Sequence, residues 1–166
     1  MRKFALLALL PVLLVGLAGC ASTASSYGSF IKKPIQTHDK AIADDAVKQL
    51  AVLYPPASTR FNLQHATPDL FGAYLLESLR SKGYAVLEFK PGLQAQAVMA
   101  TDGATLASSS PSPSSSGLSL SYLLDQAQGS DLYRLTLVIN RQQSLARAYQ
   151  VQGDAIHPAG HWVRKE

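Results

Sequence analysis

The sequence predicts an α+β fold: two helices packed on a mostly antiparallel sheet, ordered α-β-α-β and then a β-meander, with a disordered Ser/Pro-rich insertion. Three observations predict it. Residues 38–53 carry apolar side chains at helical spacing. A strand-helix-strand pattern fills the stretch from Arg60 to Phe89. The last third of the chain alternates apolar and polar residues in successive runs.

Each element has its own signal. Ile42, Ala46, Leu50 and Leu53 recur along one side of the first helix, and Ala43 and Val47 widen the stripe. Asp39, Asp44 and Asp45 lie in its first half, where the helix dipole favours anions. Pro55-Pro56 ends it. Arg60 to Gln64 alternates, with Phe61 and Leu63 on one face, and reads as a strand. Thr67 is the expected N-cap of the second helix and Pro68 its first residue. Phe71, Tyr74, Leu75, Ser78, Leu79 and Lys82 follow one face of that helix, and Gly83 supplies the stop. Tyr84 to Phe89 is the next strand.

Residues 91–117 break the pattern. Their Ser/Pro-rich run cannot bury enough apolar surface to offset its ordering entropy, so a flexible insertion between two strands of one sheet is expected. The meander follows. Leu118, Leu120, Tyr122 and Leu124 give one strand face. Tyr133, Leu135, Leu137 and Ile139 give the next, and Leu145, Arg147, Tyr149 and Val151 a third. Turns are expected near Gly129-Ser130, Asn140 to Gln143 and Gly153-Asp154. His161-Trp162-Val163 suggests a short last strand.

The N-terminus carries a different kind of signal. Met1-Arg2-Lys3 is basic, an apolar run extends from Phe4 to Leu17, and Leu17-Ala18-Gly19-Cys20 closes it. A basic start, a short apolar core and small residues before a cut describe a secretory signal peptide. The run is shorter than the roughly 20 apolar residues of a bilayer span. Leu17 to Cys20 resembles the lipobox of bacterial lipoproteins. That resemblance implies a signal peptide at 1–19 and lipidation of Cys20, which would carry a diacylglycerol and an N-acyl (palmitate) chain as the only non-protein groups. Ala21 after Cys20, by likeness to the Gram-negative sorting rule, implies the outer membrane. Residues 20–36 then form a lipidated tether, and 37–166 a single domain interrupted at 91–117. Tyr27, Phe30 and Ile35 give the tether apolar handles that a plain linker does not need, so docking of this segment on a partner stays open.

Composition excludes several functions. The chain carries a formal charge of +4, but without Arg2 and Lys3 the balance is 13 basic to 11 acidic residues. That is too weak a field for direct nucleic-acid binding. Cys20 is the only cysteine, so no intramolecular disulfide forms, and lipidation leaves no thiol for catalysis. The chain holds no Gly-rich phosphate loop, no His-Glu-x-x-His and no Gly-x-Ser-x-Gly elbow. His157 and His161 have metal-like spacing, but Pro158 and Gly160 place them on a turn, and zinc needs more ligands. His38 and His65 stand apart from them. Asp69 and Glu77 lie two helical turns apart and read as a solvated face. No catalytic residue, metal or further cofactor is expected. Tyr122, Tyr133, Tyr149 and Trp162 concentrate aromatics in the meander. Core packing explains most of them; for an exposed anchor, Trp162 is the first choice.

Three stretches carry a wider resemblance: Val52 to Thr59; Phe71-Gly72 with the helix running on to Gly83-Tyr84-Ala85-Val86; and Tyr133-Arg134-Leu135 through Ala146-Arg147-Ala148-Tyr149 to Gly160-His161-Trp162-Val163. In that order they resemble the TrbH family of conjugal-transfer lipoproteins. The resemblance implies a non-enzymatic structural component of a plasmid type IV secretion apparatus, used in mating-pair formation. It would sit at the outer membrane facing the periplasm, with other channel subunits as partners and oligomers only within that complex. The rival expectation is a stand-alone cell-envelope lipoprotein that binds peptidoglycan or a small ligand.

Overall fold

A computed structural model describes residues 26–90 and 117–166. The expected signal peptide, Cys20 and residues 91–116 lie outside the described residues. The elements run β1 (Gly28–Ser29), α1 (Gln36–Leu53), β2 (Arg60–Leu63), α2 (Leu70–Ser81), β3 (Ala85–Leu87), β4 (Leu118–Gln126), β5 (Leu132–Ile139), β6 (Gln143–Gln152), β7 (Ala155–Pro158) and β8 (Val163–Lys165). A 3-10 turn at Pro56–Ser58 links α1 to β2. The α+β class, with two helices and a mostly antiparallel sheet, is the one the pattern predicts.

In α1 the predicted stripe is the buried one: Ile42, Ala43, Ala46, Val47 and Leu50 are inside. The Tyr54 amide donates back to the Leu50 carbonyl at 2.7 Å. The two prolines that follow have no amide with which to extend the ladder. In α2, Phe71, Leu75, Leu76 and Leu79 are buried. Its start differs from the expectation. Asp69, not Thr67, is the N-cap: its carboxylate accepts the Gly72 amide at 2.8 Å, and the helix opens at Leu70 rather than Pro68. Asp ranks above Thr as a cap, and its charge suits the positive end of the helix dipole. At the other end Gly83 takes φ +95°, and the Tyr84 amide reaches the Leu79 carbonyl at 3.0 Å, closing the helix as a C-terminal glycine does.

The sheet order is β3-β2-β4-β5-β6-β7. β2 lies parallel to both β3 and β4, while β4 to β7 form an antiparallel meander. Tyr122 stands opposite Leu137, which stands opposite Leu145; Leu120 faces Ile139, and Leu124 faces Leu135. These residues form one face of the sheet, and all are buried in the cluster that includes both helices. Gly153 at φ +62° opens the two-residue turn between β6 and β7, where a positive φ matches the strand twist. The last strand begins at Val163, after His161 and Trp162, and pairs with Ser144 to Ala146.

Both helices run in the same direction. Asp39 in the first turn of α1 feels the charge of Asp69 at the start of α2, while further along Asp44 accepts a hydrogen bond from Ser78. Their N-termini therefore share the end of the domain that carries the β4–β5 turn, where β1 also lies.

Candidate functional site

β2 covers only the first part of β4, pairing through Leu63 and Leu120. The edge beyond it would be left with unpaired backbone groups, and buried amides need partners. Gln64, His65 and the segment Gly28 to Phe30 complete it. The Gln64 amide donates to the Leu120 carbonyl at 3.1 Å. The Tyr122 amide donates to Nε2 of His65 at 3.2 Å, so an imidazole stands in for a strand carbonyl. Gly28–Ser29 then pair in parallel with Leu123 and Leu124, and the Phe30 amide donates to the Leu124 carbonyl at 2.8 Å. Gly28 is buried at φ +128°, a conformation that favours glycine. Tyr27 stacks on the His65 ring with centroids 5.7 Å apart.

The His65 tautomer follows from its neighbours. Its Nδ1 lies 2.9 Å from the Ala66 carbonyl, which can only accept, so Nδ1 carries the proton and Nε2 the lone pair. Burial pushes the His65 pKa down, against the opposing pull of the Ala66 carbonyl and Asp69. The neutral ring is the form the Tyr122 amide requires.

Below this strap lies a polar cluster inside the core. Tyr122 donates from its hydroxyl to Asp69 Oδ2 at 2.7 Å. Burial, then the bond and charge of Asp69, hold that phenol protonated well beyond its ordinary range. Asp39 is 1% exposed, and its Oδ2 has no hydrogen-bond partner among the described residues. Burial, reinforced by Asp69 and partly opposed by His38, raises its pKa from 3.8 to about 6. His38 is buried beside it, with Nε2 3.2 Å from the Asp154 carbonyl.

A second cluster joins α1 to the C-terminal strands. Asp45 Oδ2 accepts from Arg147 at 2.9 Å and from the Tyr149 hydroxyl at 2.8 Å. Arg147 also donates from Nε to the Gly160 carbonyl at 2.8 Å and lies 5.8 Å from the centre of the Trp162 ring. Trp162 is half-buried against the core under this guanidinium. Asp45→Asn keeps one acceptor but removes the charge from a pair with both side chains at most 25% exposed. It is expected to cost about 1.5 kcal/mol, the low end for hydrogen bonds to a charged group. Chemical denaturation checks this, and an unchanged midpoint would count against the pair.

The remaining sequence candidates are not brought together. Asp69 is committed to the α2 cap and Tyr122, while Glu77 is exposed on α2. His157 and His161 are both exposed, and among the described residues no group of three or more His, Cys, Asp or Glu is placed to hold a metal ion. An open groove of about 500 Å³ lies where Phe30 and Lys32 meet the β4–β5 turn, with Asp125 and Asp131 on its rim. Asp125 is paired with Arg134 at 2.6 Å. The groove brings together neither a nucleophile and base nor a metal-ligand set, and the geometry assigns it no reaction. Tyr27 and Phe30 are exposed on the strap, at 38% and 53%.

The family model described as conjugal transfer protein TrbH matches residues 24–166. The chain belongs to the TrbH family. No curated protein and no solved structure matches it. The TrbH match takes in the strap, both helices and the whole meander. Asp39, Asp45, Asp69 and Arg147, which belong to the two clusters of this TrbH-family chain, carry no local sequence signal as a group. Asp45 and Arg147 are 102 positions apart, and only the fold pairs them.

Proposed function

We propose that this TrbH-family chain is an outer-membrane lipoprotein, anchored through acyl chains on Cys20. It acts as a non-enzymatic structural component of a conjugative type IV secretion apparatus, with its domain on the periplasmic side and other channel subunits as partners. Membership of a conjugal transfer family across residues 24–166 carries this reading. Two further features support it. Leu17-Ala18-Gly19-Cys20 resembles a lipobox directly ahead of the matched region, and several acyl chains on one residue give stable anchoring where one is marginal. The carboxylates of Asp45 and Asp69 are engaged in hydrogen bonds that tie secondary elements together.

The test is plasmid transfer from donors that lack the gene, complemented by the native chain or by Cys20→Ser. Deletion is expected to abolish transfer, and the native chain to restore it. Cys20→Ser is expected to lose palmitate labelling, leave the outer-membrane fraction and fail to complement. Cross-linked envelopes should yield other transfer proteins attached to the native chain. Undiminished mating without the gene, or recovery of glycan with no protein partner, would sink the reading.

A further inference from the structure

We propose that the end of the domain bearing Tyr27, Phe30, Lys32, Lys33 and Ile35 lies against the bilayer surface, which fixes the orientation of the whole domain. This rests on lipidation of Cys20. Ala21 to Ser26 separate that residue from Tyr27, so even a fully extended chain reaches about 25 Å. The strap is then pinned to β4 through Gly28, Ser29 and Phe30, which leaves little slack between lipid and sheet.

The surface at that point has the chemistry of a membrane interface. Phe30 is 53% exposed and Ile35 47%, and Tyr27 presents a ring with a polar tip. Aromatic residues of this kind concentrate at the headgroup level. Lys32 and Lys33 are exposed between the apolar residues, and basic residues next to a lipid anchor draw it to anionic headgroups. Asp125 nearby is paired with Arg134, which leaves Asp131 as the other carboxylate on the adjoining groove against the two exposed lysines. The occupant is accordingly an anionic lipid surface. The opposite end of the sheet, with the turn at Asn140 and Arg141 and the start of β4, then faces away and is presented to partner proteins.

The test uses the full, lipidated chain in vesicles of phosphatidylethanolamine and phosphatidylglycerol. A nitroxide is placed through Phe30→Cys, or through Ile35→Cys as a second variant, with Cys20 blocked by its lipid. Val52→Cys is the control: it is 77% exposed near the far end of α1, about 24 Å along the helix from its start. Accessibility to oxygen relative to a water-soluble nickel chelate should be several-fold higher at 30 and 35 than at 52. Lys32→Gln with Lys33→Gln should return position 30 toward the aqueous value without releasing the protein. Flotation with vesicles combined with equal, water-like values at all three positions overturns the docking and leaves the anchor intact. Failure to float overturns both. Protection of position 30 only in envelopes that hold other transfer proteins also overturns it, and assigns the patch to a protein partner.

Discussion

Gly72→Ala is expected to destabilise the domain by about 3 kcal/mol, the upper range for overpacking a core. Helix propensity alone predicts the opposite sign, because alanine is favoured over glycine in a helix by about 1 kcal/mol. Packing decides the sign here. A β-carbon on Gly72 would lie 2.2 Å from the Tyr122 hydroxyl oxygen and 2.8 Å from Cβ of Thr67. The tyrosine cannot swing aside at low cost. Its side chain is fully buried, its ring meets Phe71 and His65 edge-on, and its hydroxyl is tied to Asp69. Because Asp69 also caps α2, displacing the phenol disturbs the cap. Equilibrium unfolding in urea measures the loss. Ala73→Gly, one position along at an exposed site, should cost only about 1 kcal/mol. Combining Gly72→Ala with Tyr122→Phe removes the clashing oxygen and should recover part of the loss. A Gly72→Ala protein as stable as the native one would show that the contact is not tight.

The same position shows what sequence can and cannot reveal. Phe71, Leu75 and Leu79 announce their helix because burial imposes a 3.6-residue period, and Leu135, Leu137 and Ile139 announce a strand because it imposes a period of two. Gly72 carries no such pattern, because its constraint comes from a tyrosine 50 positions away in sequence. β1 and β7 leave no pattern in the sequence for a related reason. They are two and four residues long, held by backbone bonds to a neighbour rather than by an apolar face of their own. Thr67 and Asp69 are both good capping residues and stand close together, and only the fold shows that the Asp69 carboxylate is the one that reaches the helix amides. Tyr27 and Phe30 were legible as apolar residues in a polar stretch, but their position beside His65 and Leu124 required the strap to pair with β4.

The pH dependence of stability gives the second large effect, and Asp39 dominates it. Its pKa rises on folding from 3.8 to about 6. Between those values the folded state holds a proton that the unfolded state has released, so stability falls as pH rises through that window. Two pKa units correspond to about 3 kcal/mol. His65 acts in the opposite direction. Its pKa is lowered on folding, so its contribution is intact above the unfolded value near 6.5 and is lost as pH falls below it. The two groups oppose each other where their windows overlap below about pH 6, and Asp69 acts on each. Asp39→Asn removes one of them. The stability difference between variant and native protein should shift in favour of the variant by about 3 kcal/mol from pH 4 to pH 8. Any fixed cost of the new amide cancels from that comparison, since it is the same at both pH values. Urea midpoints measured across this range decide it: parallel curves for the two proteins would mean that Asp39 is ionised in the fold at little cost, and that its buried oxygen finds a partner in solution.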